Sequence, residues 1–184
     1  QEGKDWVISA KTCQRPNITL KDYKKALNDL KSEKMQKIFV PGKDNPADEK
    51  PKGPTVDEVL DRLLTAVDAT IPEILLEHEV THQLSLLVDQ TKKLGLTVEQ
   101  YLSSTGKTAD SVRAEYKTLA SKNLTLEFAL EAISEKEQVV ATDEEVTKII
   151  QGAKTEEERK NMEAQRYYLT SLIRRQKTLD RLMA

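Results

Sequence analysis

Residues 94–108, LGLTVEQYLSSTGKT, decide the fold that we expect for this chain. Gly95 ends one long helical pattern, because glycine is the usual residue just after a helix C-terminus. Thr97 begins a helix of about one and a half turns that ends at Gly106, and Thr108 caps a second long helix. The segment, which we call the elbow, therefore predicts two long helices joined by a short polar connection. It contains no arrangement of residues that is typical of catalysis.

The composition is that of a helical protein with a thin, aliphatic core. The 184 residues are 38% hydrophobic and 33% charged but only 4% aromatic, and runs rich in Leu, Glu, Lys and Ala favour helix. The net charge of −2, with both signs interspersed, offers no basic face to nucleic acid. No stretch approaches the roughly 20 apolar residues of a membrane span. We therefore expect no direct binding to nucleic acid and no membrane association.

The N-terminal residues predict a strand without an obvious partner. Asp5–Cys13, DWVISAKTC, alternates weakly between apolar and polar residues, as a strand does. Since a lone strand needs a partner, residues 1–16 are expected to be the end of a largely missing N-terminal domain. The only cysteine, Cys13, excludes an internal disulfide and fits a reducing compartment. We expect it to be a small buried or edge residue rather than a nucleophile.

Residues 17–54 are expected to form a helix followed by a proline-rich linker. Thr19 is the predicted N-cap of a helix that runs to about Lys34. The stretch 40–54, VPGKDNPADEKPKGP, contains four prolines and many charges, which predicts a linker. The apolar residues that share one face of the helix are Tyr23, Leu27 and Leu30.

Residues 55–184 are expected to form one helical domain, because helix-start signals recur along them. Thr55, Thr142 and Thr155 are each followed three residues later by Glu, the pattern of a capping box. A helix is also predicted from Pro72 to Leu94. Its apolar face contains Leu76, Val80, Leu84, Leu87, Val88 and Leu94.

Helix lengths favour an elongated molecule over a compact one. The last helix is predicted to run unbroken from Thr155 to Ala184, about 43 Å at roughly 1.5 Å per residue. A compact globule of this size would be only about 40 Å across. We therefore expect a mainly α fold, an elongated multi-helix body with helical arms, plus a short N-terminal strand and linker. The alternative is an ordinary helical bundle whose apolar stripes are all core.

One motif suggests metal chemistry. His78 and His82 are the two histidines of the chain, and with Glu79 they form the pattern H-E-x-x-H on a predicted helix. That spacing places both imidazoles on one face, where they could bind zinc with Glu79 as general base. A catalytic zinc needs a third protein ligand, however, and no further histidine exists. We therefore interpret the pair as part of a solvated or partly packed helix face, and keep a zinc metallopeptidase as the alternative from a different class.

The order of elements resembles a known family. Gly95–Val146, GLTVEQYLSSTGKTADSVRAEYKTLASKNLTLEFALEAISEKEQVVATDEEV, resembles the C-terminal domain of trigger factor, the bacterial ribosome-associated chaperone. Ile71–Glu79, IPEILLEHE, resembles the family's helix start before this region, with Glu79 at a position where the family carries a helix Glu. Tyr167 and Tyr168 resemble part of its closing helix. The resemblance covers residues 55–184.

Two departures limit what the resemblance implies. Residues 4–24, KDWVISAKTCQRPNITLKDYK, resemble only the last strand and the exit of the family's N-terminal domain. The gap from Lys24 to Pro54 is too short for the prolyl isomerase domain that the family often carries. The resemblance therefore implies a form without isomerase, which is no enzyme, and which meets the ribosome only through the missing N-terminal region.

The resemblance implies an ATP-independent molecular chaperone body that binds nascent or unfolded polypeptides and prevents aggregation. It would act in the cytoplasm in protein folding and transport, without cofactor or metal, and could form a homodimer. A periplasmic chaperone of the SurA type is the alternative with a similar helical body, and a structural module with one dedicated partner is a third. The apolar residues expected to contact polypeptide, each of which could instead be local core, are Leu96, Tyr101, Leu102, Val139, Val140 and Ile150.

Overall fold

The computed structural model describes residues 10–36 and 53–184 of the chain. Within these residues the chain is mainly helical with one two-stranded sheet, which confirms the expected class of helices with a short N-terminal strand. No helix in this part of the chain combines the length and apolarity needed to cross a bilayer. In chain order the elements are β1 (Asn17–Leu20), α1 (Tyr23–Gln36), α2 (Val56–Thr65), β2 (Val67–Thr70), α3 (Glu73–Lys93), α4 (Val98–Thr105), α5 (Ala109–Lys136), α6 (Asp143–Gln151), α7 (Glu156–Ala164) and α8 (Arg166–Met183).

The described residues divide into two compact units. The first contains residues 10–17 and 70–121, and the second contains residues 18–36, 53–69 and 122–184. Helix α5 contributes residues to both units.

The first unit pairs α3 with the N-terminal part of α5. Glu73 accepts from Lys117 at 2.5 Å, and Glu77 accepts from Arg113 one turn further along α3. The later residue of α3, Glu77, pairs with the earlier residue of α5, Arg113, so the two helices run antiparallel. Their buried apolar side chains are Leu76, Val80 and Leu87 from α3, and Val112 and Ala120 from α5.

The elbow has the predicted boundaries. The Thr97 hydroxyl accepts from the Gln100 backbone N–H at 3.2 Å, and the Gln100 side-chain oxygen accepts from the Thr97 N–H at 2.8 Å. This reciprocal box starts α4, which ends at Gly106 with φ +65°. The Thr108 hydroxyl then accepts from the Ser111 N–H at 3.1 Å and starts α5.

The second unit is built around the face of α1 that the sequence predicted. Tyr23, Leu27 and Leu30 are all buried, which confirms that face. They pack with apolar residues of α2, β2 and α5, and with the residue that precedes β2. These residues are Val59 and Leu63 of α2, Ala66 before β2, Val67 of β2, and Ala129, Leu130 and Ile133 of α5.

The start of α1 differs from the prediction. Thr19 does not cap a helix, because it lies in β1, which pairs with β2. The helix starts at Tyr23, directly after Asp22, whose carboxylate accepts from the Lys25 N–H at 3.1 Å. Asp is a strong N-cap residue, so pairing with a distant strand moved the helix start to the next available cap.

Other N-terminal predictions meet the structure only in part. Of the strand expected at Asp5–Cys13, residues 5–9 lie outside the described residues, and residues 10–13 form no strand. Cys13 is exposed, so the expectation of a buried or edge position was wrong. Most of the expected linker also lies outside the described residues, and residues 53–55 have no regular structure.

The last helix is not continuous, which corrects the prediction of a single helix from Thr155 to Ala184. It divides at Gln165, where φ −103° and ψ 21° leave the helical range, into α7 and α8. Arg166 follows the break directly and donates to Thr147 Oγ1 of α6 at 3.0 Å. The length of about 43 Å expected for one helix therefore does not apply.

Candidate functional site

Exposed apolar side chains are the feature of this structure that most needs a functional explanation. Exposed apolar residues that are scattered singly are ordinary, whereas a contiguous apolar patch is typical of a binding surface. The large apolar side chains that are exposed in each unit are the following. In the described part of the first unit they are Ile74, Leu86, Leu94, Leu96 and Leu119. In that of the second they are Val56, Val140, Ile149, Tyr167, Tyr168 and Leu172.

The end of α3 presents two leucines beside a glycine turn. Gly95 has φ +71°, its N–H donates to Lys92 O at 3.0 Å, and the Leu96 N–H donates to Thr91 O at 2.9 Å. These two bonds are those of a Schellman motif. Leu94 lies at the C-cap and is 74% exposed. The sequence places it on the apolar face of α3, and the structure leaves its side chain in solvent.

The loop after α5 repeats this turn with a different residue. Gln138 has φ +51°, and the next residue, Val139, donates its N–H to Ser134 O at 2.9 Å. The two adjacent valines that follow this turn differ in exposure, since Val139 is 8% exposed and Val140 is 65% exposed. Lys177 of α8 donates to Val140 O at 2.8 Å, which ties the loop to α8.

The residues predicted to contact polypeptide therefore fall into three groups. Leu96 and Val140 are exposed, Tyr101 and Leu102 are half-buried, and Val139 and Ile150 are buried. At the last two positions the structure has the local-core arrangement that was the stated alternative. The first unit holds Leu96, Tyr101 and Leu102, and the second holds Val139, Val140 and Ile150.

An aromatic face on α8 was missing from the sequence-based set of site residues. Tyr167 is 90% exposed and Tyr168 is 54% exposed. Leu172 lies one turn after Tyr168 and is also exposed. Tyr is enriched at protein interfaces because its ring supplies apolar area and its hydroxyl a polar contact. The available signal was the tyrosine pair followed by Leu172, but the break that places it in the first turn of α8 was not predicted.

The H-E-x-x-H segment lies on α3 with its histidines in solvent. His78 and His82 are exposed, and the carboxylate of the half-buried Glu79 accepts from Gln83 Nε2 at 2.7 Å. Among the described residues, no three His, Cys, Asp or Glu side chains come together as a metal site would require.

A groove of about 270 Å³ lies in the second unit between α1, the end of α5 and the end of α8. The Tyr23 hydroxyl donates to Glu137 Oε1 at 2.7 Å, and Lys24 Nζ lies 2.6 Å from the same oxygen. These contacts hold the pKa of Glu137 below its usual value, chiefly through Lys24. Burial, and then the bond to Glu137, raise the pKa of Tyr23. The carboxylate therefore stays ionised and fixes the wall of the groove.

Comparison of the sequence with known proteins gives matches to one family. The sequence model of the C-terminus of bacterial trigger factor protein matches residues 47–184. Trigger factor of Carboxydothermus hydrogenoformans is 37% identical over 158 residues, which cover 82% of this chain and 36% of that protein. Trigger factor of Clostridioides difficile is 31% identical over 120 residues, covering 65% of this chain and 27% of that protein.

A third relative has a shorter match. Trigger factor of Caldicellulosiruptor saccharolyticus is 31% identical over 101 residues, 55% of this chain and 23% of that protein. In these three comparisons the chain spans 36% or less of the relative's length. No solved structure matches the chain.

Proposed function

The chain belongs to the trigger factor family, and on that premise we propose that it is an ATP-independent chaperone module that binds nascent or unfolded polypeptides and prevents their aggregation. The observation that carries this function is the exposure of large apolar side chains in both units, above all Leu94, Val140 and Tyr167. A charged residue lies near each in the sequence: Lys93 directly before Leu94, Glu137 three positions before Val140, and Arg166 directly before Tyr167. Scattered apolar contacts in a polar setting favour modest affinity for many partners over tight binding to one.

The exposure of the apolar side chains also indicates which of them contact polypeptide. We propose that Leu96, Val140, Tyr101 and Leu102 touch polypeptide, together with Leu94 and the aromatic face of α8 (Tyr167, Tyr168 and Leu172). Val139 and Ile150 are buried, and they would contribute only by holding the neighbouring exposed residues in place. The domain order expected from the sequence remains part of the proposal, with the chaperone body in residues 55–184.

We further propose that the module catalyses no reaction, acts in the cytoplasm, and leaves contact with the ribosome to parts of a trigger factor outside this helical region. The match to the C-terminus of the family supports this division. An isomerase assay on a proline-containing peptide is expected to show only the uncatalysed rate.

Suppression of aggregation tests the central claim. A denatured client is diluted into buffer with or without equimolar chain and without nucleotide, and light scattering is followed. We expect a delay near a one-to-one ratio, which an unrelated helical protein of similar charge does not give. The proposal fails if the folded chain, checked by circular dichroism, leaves scattering unchanged.

A further inference from the structure

The two histidines of α3 form a pair that the proposed function does not use. His78 and His82 are both exposed, and neither imidazole makes a hydrogen bond or an ion pair with any residue in the described part of the chain. Residues four positions apart lie on one face of a helix, with their Cβ atoms about 5–6 Å apart. Both rings are therefore free to turn toward one point in the solvent.

The helix that carries the pair is held by the rest of the first unit. Leu76 and Val80 are buried, and each lies two positions from His78, which places it about 200° around the helix axis from that residue. Glu77 pairs with Arg113 of α5. The backbone between the two histidines is therefore ordered before any ligand binds, and a ligand has to order only the two side chains.

The neighbouring residues of α3 suit a cationic ligand. Positions 74, 75, 81, 85 and 86, each one helical turn from one of the histidines, carry Ile, Leu, Thr, Ser and Leu. No Lys or Arg of α3 therefore lies beside the pair to repel a positive ion. The remaining position at this spacing is Glu79, whose carboxylate accepts from Gln83 Nε2 at 2.7 Å and adds a negative charge to this side of the helix.

We propose that His78 and His82 together bind one divalent ion of the later first-row transition metals. Imidazole nitrogen is a preferred ligand of Zn²⁺, Ni²⁺ and Cu²⁺. Among the described residues no third His, Cys, Asp or Glu joins the pair, so water completes the coordination. The ion is therefore exchangeable, unlike the closed site of a structural zinc. The site is independent of the chaperone proposal, which assigns no role to either histidine.

Chelation by two tethered ligands sets the size of the effect. A second ligand held beside the first strengthens binding by about 10²- to 10⁴-fold, and part of this gain is lost because two exposed side chains must be ordered. Loss of either imidazole should therefore weaken binding at least tenfold, to roughly the level of a single histidine.

Calorimetric titration of the full chain, without an affinity tag, with Zn²⁺ tests the site. We expect one ion per chain, and no binding of Mg²⁺, which prefers oxygen ligands. His78→Gln and His82→Gln should each weaken Zn²⁺ binding at least tenfold. Because the chain has only two histidines, the imidazole C–H signals in proton NMR are assigned by these variants, and both should shift when Zn²⁺ is added.

Two further variants separate the pair from the mere number of histidines. His82→Gln combined with Gln90→His leaves two imidazoles about 18 Å apart along α3, and should bind no better than His82→Gln alone. His78→Gln combined with Leu86→His places a new partner four positions after His82, and should bind better than His78→Gln alone. Leu86 and Gln90 are exposed, so the fold should be kept, which circular dichroism checks.

Several results would overturn the metal site and leave the chaperone proposal standing. They are absence of Zn²⁺ binding, binding that persists in His78→Gln and His82→Gln, or equal affinity of the original chain and the variant with separated histidines. One ion per two chains would also overturn it, because the two ligands would then come from different copies. Failure of the pair formed by Leu86→His to improve binding would show that the spacing of four positions is not what holds the ion.

Discussion

The most unusual single residue in the described chain is Gln138. Like Gly95 and Gly106, it follows a helix and takes a positive φ, here +51°. Left-handed backbone costs a residue with a side chain about 1–2 kcal/mol, and part of this is offset because glycine loses more entropy on folding. Gln138→Gly should therefore raise the free energy of unfolding by about 0.5–1 kcal/mol. Urea denaturation followed by circular dichroism measures it.

Gly106→Ala is the reciprocal control for that prediction. A Cβ at Gly106 would meet nothing within 4 Å, so only the backbone conformation opposes alanine. The substitution should lower the free energy of unfolding by about 1 kcal/mol. The explanation is wrong if both variants change stability in the same direction.

Lys177 predicts how stability depends on pH. It donates to both carboxylate oxygens of Glu145, at 2.8 and 3.0 Å, and is the main reason that the pKa of Glu145 lies below its usual 4.5. A lowered pKa in the folded state means that the contribution is fully present above the unfolded pKa. It is lost as pH falls below about 4.5 through the folded value.

Lys177→Met should accordingly reduce the loss of stability between pH 7 and pH 3. Part of the loss remains, because Glu137 and Glu58 also have lowered pKa values through Lys24 and Lys34. Urea denaturation at the two pH values measures the difference. Lys148→Met on α6 is the control, and an equal effect of the two variants would contradict the assignment to Glu145.

At the scale of elements, local signals predicted helix starts better than helix interruptions. The capping boxes at Thr55 and Thr142 are both present, because a cap depends on residues only three positions apart. Strand β2 and the break at Gln165 were missed. Strand β2 depends on pairing with β1. The break at Gln165 lies beside Arg166, which bonds to Thr147 of α6. Both contacts join residues far apart in the sequence, so no pattern of neighbouring residues predicts them.

Arg166 should stabilise the junction of α6, α7 and α8. It donates to Thr147 Oγ1 at 3.0 Å and to Glu163 Oε1 at 3.2 Å. Arg166→Met keeps the apolar stem but removes these bonds, and should lower the free energy of unfolding by about 1 kcal/mol. Arg159→Met, which loses only a 3.6 Å pair within α7, should change it by less than about 0.5 kcal/mol. Equal effects would show that the junction does not depend on Arg166.

At the scale of the whole molecule, the sequence identified apolar positions but could not separate surface from core. Val139 and Val140 are adjacent and chemically identical, yet one is buried and the other exposed. The turn at Gln138 decides between them, and that turn occurs at a residue that rarely adopts positive φ. Tyr167 was missed for a related reason, since it lies two residues after the break at Gln165, which the sequence does not predict. Side-chain exposure is a tertiary property, so periodicity alone cannot assign it.

The difference between exposed and buried apolar residues provides a direct test of which side chains bind an unfolded client. Replacing Leu94, Val140 and Tyr167 together by Ser removes exposed apolar area from both units without opening a cavity. If each contributes about 0.5 kcal/mol to client binding, the triple variant should bind about tenfold more weakly. The chain-to-client ratio for half suppression of scattering should rise, while the free energy of unfolding stays within about 0.5 kcal/mol of the original at each site.

Val139→Ser is the matched control, because it places a hydroxyl at a buried position beside an exposed valine that is left intact. It should lower the free energy of unfolding by about 1–3 kcal/mol, yet the folded fraction should still suppress aggregation at the original ratio. Comparison at a temperature where both variants are folded separates loss of surface from loss of stability. If Val139→Ser impairs suppression as much as the triple variant does, the exposed side chains are not the contacts, and client binding depends on the core that supports them.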